Sequence, residues 1–271
     1  MTPTGKNRTP ALATLPGTSV WGELLKYALV IGAMVFLLAR GAESLGYNWQ
    51  WYRVPQYLIR VQEGRWLPGP LLEGLKVTLQ ITGISLLLAF ALGLVTAVLR
   101  MSRSVLGKML ARGYLELIRN TPLLVQIFFI YFVLAPILDI DRFTAAVLAL
   151  SLFEGAYASE IFRAGIVCIH RGQWEASFSL GFGTINTYRY VILPQAIRRM
   201  LPPLTSQAIS LIKDSALVST IAIYDLTMQG HAIIAETFLT FEIWFAVAAI
   251  YLAVTLTLSV GVNVMERRIR M

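Results

Sequence analysis

Residues 77–99 read VTLQITGISLLLAFALGLVTAVL, a run of 23 positions without a charged side chain. A helix rises about 1.5 Å per residue, so this run crosses a hydrocarbon core of about 30 Å. It stops at Arg100, with Arg103, Lys108 and Arg112 close behind. Basic residues gathered at the end of an apolar span mark its cytoplasmic side. The composition agrees with a membrane protein. Of 271 residues, 56% are apolar and 14% charged, against about 25% charged in soluble domains. A net charge of +8 would suit nucleic acid, but the basic residues cluster at span ends, so no nucleic-acid partner is expected. Cys168 is the single cysteine, which excludes an internal disulfide. No Cys/His set has metal-ligand spacing, so no metal site is expected.

Working outward, five more spans are predicted. The first covers Trp21 to Ala39, after a polar tail over residues 1–20 that lacks the features of a signal peptide. A wetter stretch follows to Pro70, with Trp49, Trp51, Tyr52, Tyr57 and Trp66, read as an aromatic belt in the headgroups. The third span opens at Asn120-Thr121-Pro122, with Asn120 or Thr121 as cap and the proline at the first helical position. It ends near Pro136. The fourth runs from Phe143 to Phe162. The fifth starts at Met200, with Pro202-Pro203 near its entry, as helix start or hinge, and Lys213-Asp214 at its middle. The sixth runs from Ile243 to Met265. Six spans place both termini in the cytoplasm, together with the basic segments 100–112 and 163–199. Asp139, Asp141, Asp225, Glu236 and Glu242 then fall in short outer segments. The predicted class is an all-α integral membrane protein.

No energy source is evident in the chain itself. The best approach to a phosphate-binding loop is Gly107-Lys108, which fails because Met109 follows the lysine and Ser102 stands where the first glycine belongs. Residues 172–181, Gly172-Gln173-Trp174-Glu175-Ala176-Ser177-Phe178-Ser179-Leu180-Gly181, form a short amphipathic helix between spans. Glu175 is placed at its N-terminus, where the dipole favours negative charge. Ala176 and Ser177 are small enough for another backbone to come close. Trp174 and Phe178 share a face as knobs for a groove, and Gly181 stops the helix. The competing reading is a helix lying flat on the membrane.

Glu175-Ala176-Ser177, then Gly181, then Val191, Leu193 and Pro194 resemble the signature of permease subunits of ATP-binding-cassette (ABC) importers: Glu-Ala-Ala, three residues, Gly, nine residues, Ile, one residue, Leu-Pro. Ser177 and Val191 are the two departures, both of similar size. Residues 116–126 (Glu116 to Gln126), 155–165, 193–196 and 211–217 are similar to blocks of the polar amino-acid permeases of that group. The resemblance covers about Leu71 to Ile269. It implies the type I importer permease fold, a five-helix core over 71–271 with a coupling loop at 163–199 and one extra N-terminal helix over 21–70. It also implies a role for Trp174, Glu175, Ala176, Ser177, Phe178, Gly181, Leu193 and Pro194 in docking an ATPase. The implied partners are two ATPase subunits that bind ATP and magnesium, a second permease chain (a copy or a homologue), an external binding protein and an amino-acid substrate. The permease itself would carry no cofactor and no catalytic residue, and would sit in the cytoplasmic (inner) membrane.

Charges within spans face protein or water. Glu154 shares a helix face with Ser151 and Ala158, so that face is expected to look inward. Lys213 and Asp214 are adjacent and point about 100° apart, so they do not simply pair with each other. Glu154, Gln126, Lys213, Asp214, Thr82 and Ser85 are candidates to line a path for a zwitterion, with interhelical glue as the alternative. Glu160, Arg163 and Arg119 are candidates for a structural or gating ion pair. An ion-coupled secondary transporter using Glu154 and Asp214 is the rival function.

Overall fold

The computed structural model describes residues 20–44, 46–62 and 64–270. They fall into two compact units that divide between Trp49 and Gln50. The first unit contains helix α1, Val20–Ser44, whose apolar stretch is Leu24–Leu37. The polar tail expected before it lies, apart from Val20, outside the described residues.

The second unit opens with a 3₁₀ turn at Trp51–Arg53, a single helical turn α2 at Pro55–Leu58 and a hairpin of β1, Ile59–Gln62, with β2, Arg65–Pro68. The strands are antiparallel, with Arg60 opposite Leu67 and Val61 opposite Trp66. This hairpin is a small departure from the all-α expectation. It lies in the aromatic stretch, where Tyr52 and Trp66 are strongly exposed. Gly69 closes it. A Cβ there would lie 2.4 Å from the carbonyl oxygen of Tyr57, so only glycine allows the close pass.

The helices then follow in order. They are α3, Pro70–Met101; α4, Val105–Arg119; α5, Leu123–Phe128; a π-helical turn, Phe129–Leu134; α6, Ala135–Leu138; and α7, Arg142–Val167. Next come α8, Arg171–Ser179; α9, Thr184–Asn186; a second π turn, Thr187–Ile192; and α10, Leu193–Asp214. A 3₁₀ helix, Ser215–Ile221, leads to α11, Leu226–Thr237, and α12, Thr240–Arg270.

Both π turns run up to a proline, Pro136 and Pro194. Proline has no N–H and its ring collides with the carbonyl four residues back, so the helix widens by a residue rather than breaking. Pro202 and Pro203 lie inside α10, nine and ten positions from its start, so they do not mark a helix start. The fifth helical run begins well before Met200, and Lys213-Asp214 end it instead of occupying its middle.

The basic segment after α3 is a helix, not a loop. Ser104 caps α4 by accepting from the N–H of Gly107 at 3.0 Å. The chain then turns by 107° into α5–α6. Neither Asn120 nor Thr121 caps α5, as the sequence had suggested; Pro122 itself is the cap residue. Both side chains close α4 instead. The amide of Asn120 donates to the Glu116 carbonyl and the Thr121 hydroxyl donates to the Leu117 carbonyl, each at 2.8 Å. The residue before a proline is pushed out of the helical region, which puts the corner at Thr121.

Among the described residues, α3, α7 and Thr240–Val262 of α12 are long and apolar enough to cross a membrane, with the α4–α6 pair a fourth if it counts as one bent span. Helix α10 does not qualify; Arg198 and Arg199 stand within it and Lys213 and Asp214 at its end. Two of the acids assigned to outer segments are buried. Asp225 caps α11 by accepting from Met228 N–H at 2.9 Å, and Glu242 accepts from Gln50 N–H at 2.7 Å. Asp141 caps α7; bonds from the Thr144 hydroxyl and the N–H groups of Thr144 and Phe143 hold its carboxyl below the usual range.

The most extensive helix packing among the described residues is between α3 and α7. Ser85, Ala89 and Gly93 step along α3 at four-residue intervals, and Ser151, Gly155 and Ser159 do so along α7; all are buried. Small residues let the two backbones approach, which is how helices associate where no hydrophobic force separates them from lipid. A Cβ on Gly93 would sit 2.9 Å from that of Ala158 and 3.0 Å from the Gly155 carbonyl oxygen. Gly93→Ala should therefore lower stability by about 1–3 kcal/mol, and Gly93→Leu by more. Gly83→Ala, where nothing lies within 4 Å, is the control. Thermal unfolding in detergent measures both, and equal midpoints for the two alanine variants would contradict the seam.

Candidate functional site

Helix α8 is built to be held on one side and free on the other. His170 caps it, its Nδ1 accepting from Gly172 N–H at 3.1 Å. At the other end Gly181 takes φ +82°. Its N–H donates to the Phe178 carbonyl at 2.9 Å and that of Phe182 to the Ser177 carbonyl at 3.2 Å. This pair of bonds is the Schellman closure, which needs a left-handed residue at that point. Two contacts fix the inner side. The hydroxyls of Ser177 and Thr187 are 2.7 Å apart and buried, and Trp174 meets Tyr188 edge to face at 5.1 Å. Trp174 thus packs with Ile166, Ile169 and Ile192; it is not an outward knob, and neither is Ser177. Glu175 lies at the fifth helical position, not the N-terminus, and pairs with Arg171 at 2.8 Å in the open. The face left outward carries Glu175, Ala176 and Phe178, with Leu180 and Ile185 beyond, the last two 76% and 81% exposed. Exposed apolar side chains beside a charged pair are the anatomy of a docking surface. Leu193 and Pro194 are exposed at the start of α10.

The second feature is Glu154 on α7, fully buried, with Ser151 and Ala158 buried on the same side. Its Oε2 accepts from Nε2 of Gln207 on α10 at 3.2 Å. Its Oε1 has no protein partner among the described residues. A buried carboxyl with a spare acceptor can take a donor such as an ammonium group. Gln207 was missed in the sequence. It stands seven residues before Asp214, a two-turn spacing that puts both on one side of α10, and that spacing was the available signal.

The third feature is a carboxylate shared by three arginines. Glu160 Oε1 accepts from Arg100 at 2.6 Å and Arg119 at 3.1 Å, and its Oε2 from Arg163 at 3.0 Å. The sequence reading had Glu160, Arg163 and Arg119; Arg100, sixty positions away, completes the cluster. It ties the end of α3 and the end of α4 to α7.

Residues 89–271 match the model of the family described as binding-protein-dependent transport system inner membrane components. The chain belongs to this family. It is 44% identical over 203 residues to the glutamine transport system permease protein GlnP of Escherichia coli, covering 74% of this chain and 93% of that one. It is 37% identical to the probable glutamine ABC transporter permease protein GlnM of Bacillus subtilis, covering 73% and 92%. A crystal structure of an amino acid ABC transporter with histidines superimposes with a TM-score of 0.70 at 41% identity, over 73% of this chain and 94% of that chain. Membership in a binding-protein-dependent transport family sets aside the ion-coupled secondary transporter.

Within this permease frame the remaining candidates separate. Gln126 is buried at the α4–α5 corner, its Nε2 donating to the carbonyls of Ile118 and Thr121 at 2.8 and 3.0 Å. It braces the bend and does not meet Glu154. Ser85 lies inside the α3–α7 seam, 3.4 Å from the Val147 carbonyl. Thr82 donates to the Thr78 carbonyl at 2.7 Å and lines a mainly apolar groove of about 330 Å³ with Thr205 and Leu258. Lys213 is exposed and Asp214 half-buried, and neither forms an ion pair among the described residues.

The Ser177–Thr187 bond gives the sharpest local test. Ser177→Ala leaves a buried hydroxyl without its partner and should cost about 1–2 kcal/mol. Adding Thr187→Val should recover part of that loss, giving a coupling of about 1 kcal/mol in the double-mutant cycle. Thermal unfolding, with limited proteolysis across residues 171–183, measures it; strictly additive losses would mean the two hydroxyls do not hold α8.

Proposed function

We propose that this chain is the membrane-spanning permease subunit of an ABC importer that carries polar amino acids across the cytoplasmic membrane. The observation that carries the reading is α8: a helix closed at both ends, fastened on one side to Thr187 and Tyr188, and presenting Glu175, Ala176 and Phe178 outward. The similarity to glutamine permeases over nearly their full length supports the substrate class. In this reading six spans place both termini in the cytoplasm. Helices α5 and α6 with the π turn between them, and the part of α10 beyond Met200, serve as the third and fifth spans, while the charged α4 and the Arg198-Arg199 end of α10 lie at the cytoplasmic interface. Two ATPase subunits, which bind ATP and magnesium, dock on α8 of this chain and of a second permease chain. An external binding protein delivers the substrate. ATP-driven closure of the ATPases shifts the population between outward-open and inward-open packings.

Glu154 is the residue proposed to meet the substrate, its free Oε1 accepting from the α-ammonium group while Gln207 orients the carboxyl. Lys213 and Asp214, at the end of the same helix as Gln207, stand as further path candidates, whereas Gln126, Ser85 and Thr82 shape its walls.

The test reconstitutes the permease with its ATPase in liposomes. Glu175→Arg reverses an exposed charge and Gly181→Leu removes the left-handed closure. Each should lower substrate-stimulated ATP hydrolysis by about tenfold, a 1.4 kcal/mol loss of coupling, with the permease still folded. Glu154→Gln should change the substrate concentration for half-maximal uptake or the preference among amino acids. Unchanged coupling in both α8 variants would refute docking there, and a merely destabilised Glu154→Gln with normal selectivity would remove Glu154 from the path.

A further inference from the structure

A polar cavity of about 350 Å³ opens at the α4 elbow. Arg100, Arg112, Arg119, Glu116, Glu160 and Tyr157 line it. Three guanidinium groups therefore face two carboxylates, and both carboxylates are already engaged. Glu160 is shared among Arg100, Arg119 and Arg163, and Glu116 accepts from the Asn120 amide at 2.8 Å. Arg112 forms no ion pair among the described residues. Arg119 lies over the Tyr157 ring at 5.9 Å and gives one guanidinium nitrogen to Glu160. The cavity is thus left with positive charge and unspent donors.

Its setting says what would supply the missing anion. Helix α4 is strongly two-sided. Lys108, Arg112, Glu116 and Arg119 follow one side at helical spacing, while Leu106, Met109, Leu110 and Leu117 are each more than 60% exposed on the other. A basic amphipathic helix bent 107° from the next helix is suited to lie in the interface plane. A second, shallower cavity of about 590 Å³ runs along the same helix and shares Arg112 and Glu116 with the first. Its other lining includes Val105, Met109 and Gly113. The arginine cavity therefore adjoins a stretch of the α4 surface where Val105 and Met109 lie beside Lys108, Arg112 and Glu116. A ligand with an anionic head and an apolar tail matches both.

We infer that the arginine cavity at the α4 elbow binds the phosphate of an anionic phospholipid of the cytoplasmic leaflet. Arg112 and Arg119 hold the phosphate oxygens through their planar forks, and the acyl chains lie along Met109 and Val105. Basic pockets at the cytoplasmic ends of spans suit such head groups. The inference rests on the proposed orientation, which puts the α3 end bearing Arg100 in the cytoplasm.

The permease, purified with its ATPase, is examined by native mass spectrometry in detergent with phosphatidylglycerol or phosphatidylcholine added. Wild type should retain phosphatidylglycerol in preference. Arg112→Gln, an exposed change that spares the Glu160 cluster, should reduce that retention about fivefold, the worth of one basic residue near a charged surface. Arg112→Gln with Arg119→Gln should reduce it further, and phosphatidylcholine retention should not move. Equal phosphatidylglycerol retention in wild type and Arg112→Gln would overturn the site. So would full displacement of the lipid by inorganic phosphate, which would mark a free-anion site, or loss of ATPase co-purification with lipid retention unchanged, which would mark a protein contact. Because the readout is lipid mass, it is independent of uptake. Failure of ATP-driven transport would count against the proposed function and leave the lipid ratio unaltered.

Discussion

The close approach of α3 and α7 is the constraint on which the rest of the described membrane core depends. In lipid, apolar side chains gain little by touching one another, so two helices stay together through packing density and hydrogen bonds. The seam supplies both. Gly93 sits against Gly155 and Ala158 with no room for a side chain. The Ser151 hydroxyl donates to the Val147 carbonyl at 2.6 Å and reaches the Ser85 carbonyl at 3.3 Å. With one side of α7 committed to this seam, the rotation of α7 is fixed. That rotation decides where its charged side chains point.

Two carboxylates on α7 show the consequence. Glu154 and Glu160 are six residues apart, so they differ in direction as well as depth. Glu154 meets α10 through Gln207 and keeps one oxygen free. Glu160 meets the ends of α3 and α4 through Arg100 and Arg119 and keeps neither oxygen free. One carboxyl is left incomplete and the other is saturated. An incomplete buried acceptor is costly unless something else completes it, whereas a saturated cluster fastens elements. The same residue type on one helix thus keeps a free acceptor at one level and fastens three elements at the next.

The sequence carried the parts of this arrangement that depend on local spacing. The length of 77–99 gave a span, the spacing of Ser151, Glu154 and Ala158 gave the buried side of α7, and Glu175 to Pro194 gave the position of α8. It did not carry outcomes that depend on competition between segments. Trp174 and Phe178 look equivalent by spacing, yet only Trp174 finds Tyr188. Asn120 and Thr121 look like caps for the helix that follows, yet the proline after them turns them back onto α4. The buried acids Asp225 and Glu242 accept from Tyr251 and Gln50, residues distant in the chain. Arg100 joins Glu160 across sixty positions, which no local pattern registers.

The remaining link is the helical run from Thr184 through Asp214, which is unbroken. Thr187 at one end is bonded to α8, and Gln207 further along is bonded to Glu154. Twenty residues separate those two anchors, about 30 Å of helix. A rigid rod of that length would carry any displacement of α8 to Gln207 undiminished. This rod has two soft points. The π turn at Thr187–Ile192 and the prolines at 202 and 203 both lack regular backbone bonds, and only the first lies directly at the α8 anchor. The prolines leave the carbonyls of Arg198 and Arg199 without their helical donors, and one turn on, the Thr205 hydroxyl adds bonds to the carbonyls of Leu201 and Pro202 at 2.9 and 2.8 Å. The stretch between the soft points, Leu193 to Leu201, is regular helix. Its buried side carries Ala196 and Met200, and Met200 packs against Gly165, where an added Cβ would lie 2.3 Å from the Met200 side chain. That middle stretch therefore packs on the foot of α7, between the two places where the backbone departs from regular helix. One covalent path thus runs from the Ser177–Thr187 contact of α8 to the Gln207–Glu154 bond.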